Sequence, residues 1–389
     1  MESDTKENID EQNISDEEIT DECQEYLERE WDLMSQVSPL FDAYTTGDFK
    51  NFCKLIDNGE SVNCADYFGR SLINTVVIDK MYVKDNKKYF DKLMSSNCSL
   101  EPFCDCPSPL VEAIRWAGDD FYYLNKLLKK SNRIDACRSW KIEDAEWTFL
   151  NPPIFDALHT DRSDVIDLVL KEYTDLKVYD CNDTPIINYL LGAQLDNLRL
   201  GSKYFSIFAK KGAPIDEFDQ SGHQPIHYWA KHYNDPNILS FMLENNINID
   251  VRDSKGFTPL ITACAKFNFS AVSILVKNNA NINIQNKLGM TALMTSIINL
   301  DHKTVNLLLK LKFDTSLCDN SGDNICHYFS LHCIPTKNFD LCEKIMMKNP
   351  NLLLQKNNRG KTPLDILKVT RKKTYKKLMK LNNFEERSQ

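Results

Sequence analysis

The chain has 389 residues, 42% hydrophobic and 26% charged, a composition of folded rather than disordered proteins, and no apolar run reaches the roughly 18 residues of a membrane span. The N-terminus is acidic where a secretory leader would be basic and then apolar. A cytoplasmic setting with access to the nucleus is therefore expected, with the 13 cysteines as reduced thiols whose odd number argues against a closed disulfide set. The net charge of −9 is uneven: residues 1–31 carry thirteen acids against Lys6 and Arg29, so the rest is near +2 and lacks the basic stripe that duplex nucleic acid requires.

In chain order, residues 1–31 read as a disordered acidic arm. Its Ser15-Asp16-Glu17-Glu18 and Thr20-Asp21-Glu22 match acidophilic kinase sites, a match common in acidic tails. Pro39-Leu40-Phe41-Asp42-Ala43 then leads through Leu55-Ile56 to Asn58-Gly59 and Ser61-Val62-Asn63. Asp66 to Leu100 repeats this plan with a longer middle, and Pro109 to Ala113 and Pro153 to Ala157 open two further units. Asp135 to Trp147 breaks the register. Thr184-Pro185-Ile186 to Gly212-Ala213-Pro214-Ile215-Asp216 makes another unit, with Gly192 to Ser202 as an inserted loop.

From Asp219-Gln220-Ser221-Gly222 the repetition is plain. It returns at Asp253-Ser254-Lys255-Gly256, Asn286-Lys287-Leu288-Gly289 and Asp319-Asn320-Ser321-Gly322, in steps of 34, 33 and 33 residues. Thr258 is placed to cap a helix whose first residue, Pro259, lacks an N–H that would go unused there. Gly256 and Gly289 supply a permissive turn, and Ala263 lets a neighbouring helix approach. Val272, Leu275 and Val276 form the apolar face of a second helix. Asn279 follows as a left-handed cap in place of Gly. Gly360-Lys361-Thr362-Pro363-Leu364 opens the last unit, which ends in a helix around Tyr375, Leu378 and Leu381. The basic face of that helix, Arg371, Lys372, Lys373, Lys376, Lys377 and Lys380, suits a terminal cap and also matches a short import signal.

A turn and two helices every 33 residues or so resembles the ankyrin-repeat family, over residues 37–383 and most strongly over Asp219 to Leu317. The resemblance implies an all-α solenoid of helix-turn-helix units with β-turn or hairpin loops, roughly ten in number. The expected layout is an acidic tail (1–31), degenerate repeats with insertions (32–218), well-formed repeats with a basic C-terminal capping helix (219–383) and a short tail (384–389). It further implies a monomeric, non-catalytic interaction module that acts as adaptor, scaffold or inhibitor on a concave surface. The alternative is a regulatory or targeting subunit of a larger enzyme complex, such as a ubiquitin ligase, with the activity in another chain. The partner expected is a protein, with no nucleic acid, membrane insertion or cofactor.

Carried over by position, the partner-facing residues are Gln220, Ser221, His223, Lys231 and His232, then Ser254, Lys255, Phe257, Ala265 and Lys266. Next come Lys287, Leu288, Met290, Ile298 and Asn299, followed by Asn320, Ser321, Asp323, Leu331 and His332, and finally Asn358, Arg359 and Lys361. Phe257, Leu288, Met290 and Ile298 are the informative members, since apolar residues at exposed positions mark an interaction patch. With Lys255, Lys266 and Lys287 beside them, they suit an apolar-anchored acidic peptide. His227 and His327 take the place of the family's buried, hydrogen-bonding histidine. Cys104-Asp105-Cys106 with Cys98, and His332-Cys333, lack the paired spacing of a zinc site. No phosphate loop or nucleophile motif is present, and Asp119-Asp120 after Gly118 reads as a solvated turn.

Overall fold

Short helices joined in pairs make up the structure, a computed structural model that describes residues 38–66, 69–79, 83, 85–101, 106–131, 151–192, 198–332 and 345–381. The chain divides into two units, residues 1–131 and 132–389. In the first, α1 (Pro39–Thr45) pairs with α2 (Phe49–Asp57), α3 (Leu72–Ile78) with α4 (Asn86–Ser95), and α5 (Pro109–Arg115) with α6 (Tyr122–Lys130). In the second, α7 (Pro153–His159) pairs with α8 (Ser163–Glu172), and α9 (Ile186–Leu191) with α10 (Leu198–Lys210). There follow α11 (Pro225–His232) with α12 (Pro236–Glu244), α13 (Pro259–Ala265) with α14 (Phe269–Lys277), and α15 (Ala292–Ile298) with α16 (His302–Leu308). Then α17 (Ile325–Leu331) precedes α18 (Pro350–Leu354), and α19 (Pro363–Thr370) precedes α20 (Lys372–Leu381). Among the described residues β-structure is limited to isolated bridges, Ala65 with Ser71, Tyr179 with Pro185 and Cys318 with Asn324. The expected all-α class therefore holds.

The helices are where the caps place them. Thr258 Oγ1 accepts the Ile261 N–H at 3.2 Å ahead of α13, and Thr291 Oγ1 accepts that of Met294 at 3.3 Å ahead of α15. Second helices start on Asn268, Asp301 and Asp48, whose side chains accept from Ala271, Thr304 and Asn51. Asn279 has φ +63°, and the Ala280 N–H returns to the Leu275 carbonyl at 3.0 Å, so Asn closes α14 as Gly212 closes α10. Helices of seven and nine residues such as α13 and α14 are marginal alone in water. Packing decides their stability: Leu260, Ala263, Val272 and Leu275 are completely buried.

One expectation needs correction. The insert after Gly192 is shorter than Gly192 to Ser202, because helix α10 already begins at Leu198. The reason is an apolar stripe, Leu200, Tyr204, Phe205 and Phe208, that is buried along its whole length. Gly201 sits inside that helix because a side chain there would collide with the Tyr233 ring. The acidic arm with its Ser15 and Thr20, the segment Asp135 to Trp147, Cys104, Cys333 and the tail 384–389 lie outside the described residues.

From the turn at Asp219 onward a backbone hydrogen bond ties each turn to the next. The Lys287 N–H donates to the Lys255 carbonyl at 3.0 Å, Asn320 to Leu288 at 3.0 Å, and Asn358 to Ser321 at 2.9 Å. The turn glycines make this possible twice over. Gly256 has φ +78°, and a Cβ built on it would stand 2.8 Å from the Lys287 nitrogen and 3.2 Å from Asn286 backbone. Gly360, at φ +71°, has nothing within 4 Å of that position. Alanine at residue 360 should therefore cost only the left-handed backbone penalty, about 1–2 kcal/mol. Gly256→Ala adds overpacking against the next turn, for a total of about 2–4 kcal/mol. Urea unfolding followed by circular dichroism checks this; equal shifts for the two variants would mean that the close approach contributes nothing.

Candidate partner-binding surface

The turn tips are built by side chains that fold back on their own backbone. Asp253 Oδ1 accepts the N–H groups of Lys255 and Phe257 at 2.8 and 2.7 Å, and Asn286 Oδ1 those of Leu288 and Met290 at 2.9 and 3.0 Å. Asp219, Asp319 and Asn357 repeat the arrangement in their own turns. The carboxylates thereby turn inward: the side chains of Asp219 and Asp253 are only 7% and 5% exposed. Lys255, Lys287, Arg359 and Lys361 remain on the outside, so the tips present cations while their acids are consumed in turn formation.

Among the expected partner-facing residues, Gln220, Ser221, Ser254, Lys255, Lys266, Lys287, Leu288, Ile298, Asn320, Leu331, Asn358, Arg359 and Lys361 are exposed. His223, Lys231, His232, Phe257, Ala265, Met290, Asn299, Ser321, Asp323 and His332 are half-buried. His223 lies between two carboxylates, 3.5 Å from Asp219 and 3.4 Å from Asp253. Asp323 accepts the Asn357 amide at 2.7 Å, and the Asn320 amide donates to the Lys287 carbonyl at 2.8 Å. Of the four apolar candidates Leu288, 60% exposed, projects most and Ile298 less so, while Phe257 and Met290 are partly covered.

The sequence reading passed over two large apolar side chains. Phe267 is 60% exposed and Leu300 48% exposed, each in the turn after a first helix. Both have left-handed backbone, φ +59° and +56°, which is costly for bulky residues. Gly47 and Asp161 take the equivalent turns after α1 and α7. The only signal in the sequence was a bulky residue one position before a helix cap, at Phe267-Asn268 and Leu300-Asp301. Nearby, burial and the Lys266 ammonium hold Lys231 below the usual lysine range. Burial, with Lys231 and Lys266, pushes His232 down to about 4.

Histidine 227 is structural. Its Nδ1 accepts the Gln224 N–H at 3.1 Å, so Nε2 carries the proton and donates to the Phe257 carbonyl of the next repeat at 3.0 Å. His327 repeats this with Asn324 and the Lys361 carbonyl. At the same helical position Asn188 donates to the His223 carbonyl at 2.9 Å and Asn74 to that of Pro107 at 2.7 Å. Among the described residues no three His, Cys, Asp or Glu side chains are placed to hold a metal, and no helix is long and apolar enough to cross a membrane.

Paired helices, a capped turn every 33 residues and a histidine reaching the next repeat define a helical repeat protein. Residues 176–286 match the family model of ankyrin repeats (3 copies). Residues 176–286 are thus ankyrin repeats, with no particular member of the family singled out. No curated protein matches it. Ankyrin repeats are in general protein–protein interaction modules.

Burial holds the His227 pKa below its ordinary value. The unfolded chain therefore takes up the proton first, and this group's contribution, complete above about pH 6.5, declines as pH falls below it. His232 and His332, also lowered by burial, act with the same sign. His227→Asn, which copies Asn188, keeps the donor and removes the titration. Between pH 6.5 and 5.5 the variant should lose less stability than wild type, by up to about 1.4 kcal/mol, the limit for one proton. Parallel slopes of the urea midpoint against pH would show that His227 does not take part.

Proposed function

We propose that the chain is a non-catalytic module that holds a partner protein on the surface formed by its turn tips and first helices, the concave face of ankyrin proteins in general. In this reading residues 219–383, where the turns are most regular, carry the site. Residues 32–218 extend the array, and the acidic arm 1–31 lies outside it. The observation behind the reading is the turn chemistry: side-chain and backbone hydrogen bonds fix the backbone of each tip from two sides. Lys255, Lys287 and Leu288 project from that fixed backbone toward solvent. Fixed tips hold their side chains at little entropic cost on binding. Cations beside an exposed leucine suit a partner segment with acids and an apolar anchor.

The test is affinity purification with mass spectrometry on wild type and on a Lys255→Glu, Lys287→Glu, Leu288→Asp variant. All three residues are exposed, so the circular dichroism spectrum and melting temperature should be unchanged. At least one protein is expected to fall about tenfold or more in recovery, as for loss of a binding hot spot. A partner set identical in wild type and variant would move the site away from the turn tips.

A further inference from the structure

The far ends of three first helices are laced side by side. The Asn268 amide donates to the carbonyls of Ala230 at 3.1 Å and Tyr233 at 2.7 Å, tying the end of α13 to that of α11. The Asn299 amide donates to the Cys264 carbonyl at 3.3 Å, tying the end of α15 to that of α13. The side chains carried on these ends fall into two groups. Lys231 and Lys266 form a cationic pair without an ion-pair partner among the described residues, and beside them the neutral His232 has its Nε2 covered by protein yet without a hydrogen-bond partner. Next to them in the weave are Phe267, Ile298 and Leu300, all exposed.

Neither group serves the fold. Asp235, the acid nearest in sequence to Lys231 and His232, caps α12 by accepting the Asn237 N–H and makes no ion pair with them among the described residues. Burial of Lys231 and its repulsion from Lys266 oppose folding, while burial and the same two ammonium groups keep His232 neutral. Phe267 and Leu300, 33 residues apart, bear left-handed backbone that glycine would adopt without cost, and they bury little in return. A residue strained on the surface where a smaller one would do is explained by what it touches outside the chain. A ligand bringing negative charge to the first group and apolar surface to the second relieves the repulsion and covers the exposed rings and branches.

We propose that the laced ends of α11, α13 and α15 form a second docking strip, separate from the turn tips, for a segment of a partner protein with Asp or Glu followed by apolar residues. Acids would meet Lys231 and Lys266 beside the neutral His232, and the apolar residues would lie on Phe267, Ile298 and Leu300. The inference rests on the reading that this chain holds a partner protein, and specifies a place and a chemistry for part of that contact.

Selection of a random dodecapeptide display library on the immobilised full-length chain tests it. Enriched sequences should carry Asp or Glu within about four residues of Leu, Ile or Phe. A Lys231→Glu, Lys266→Glu bait should lose that enrichment about tenfold or more, as expected when the charge of a complementary contact is reversed. Phe267→Gly should lose it as well while melting at or above the wild-type temperature, because the strained backbone is relieved; a merely structural Phe267 would melt lower. The turn-tip variant with Lys255→Glu, Lys287→Glu and Leu288→Asp should keep it. Enrichment lost only with the turn-tip variant would leave the proposed function standing and overturn the strip. Absent enrichment, basic sequences, or enrichment indifferent to both sets of substitutions would also overturn it. So would selective competition by a synthetic peptide of residues 1–31, which would make the chain's own acidic arm the occupant.

Discussion

The structure of the second unit depends on a single backbone hydrogen bond repeated from turn to turn, Lys287 to Lys255, Asn320 to Leu288 and Asn358 to Ser321. It requires two turns to approach until a β-carbon would no longer fit, which is why Gly256 and Gly289 stand there. Once the approach is made, the inward Asp and Asn side chains become buried, the lysines are left outside, and the seven- and eight-residue helices behind the turns are held in stacking register. Helices this short would not persist alone, so the turns and the packing of neighbours stabilise one another.

Behind the turns runs a second, deeper connection that varies from repeat to repeat. His227 and His327 span the junction with an imidazole, Asn188 and Asn74 with an amide, each reaching a carbonyl of the following repeat. The first unit has its own version. There Asn86, buried between repeats, donates to the Tyr44 hydroxyl and accepts from that of Tyr123, both at 2.8 Å. Rings of Tyr44, Phe52, Tyr89, Phe90 and Tyr123 pack edge-on around it at centroid distances of 4.8–5.2 Å. Repeats that depart from the regular pattern thus keep the connection and change the group that makes it.

How much of this was legible follows from which features are local. Thr258, Gly256 and Asn279 act on their own backbone, so their roles can be read from residue type and position. Exposure is not local. Phe257 and Met290 stand at positions that face outward in the family, yet neighbouring repeats partly cover them, while Leu288 beside them is free. The extra turn of α10 was hidden by Gly201, which looks like a loop residue until the Tyr233 ring is seen against it. The strained turns at Phe267 and Leu300 escaped for a related reason: left-handed backbone in a bulky residue leaves only a faint mark, the bulky residue just ahead of a helix cap.

The variation in the deeper connection has a consequence for compliance. Where His227 and His327 have their imidazoles, the two repeats between them carry Ile261 and Met294, which have no polar group to reach across. The junctions on either side of α15 therefore lack this inner bolt, and beside the outer ladder they are bridged instead by the Asn299 amide on the Cys264 carbonyl and the Gln285 amide on the Cys318 carbonyl. Lys255, Lys287 and Leu288 stand on this stretch, so a segment seated there meets repeats whose inner junctions lack the imidazole bond of their neighbours, and stiffens them on arrival.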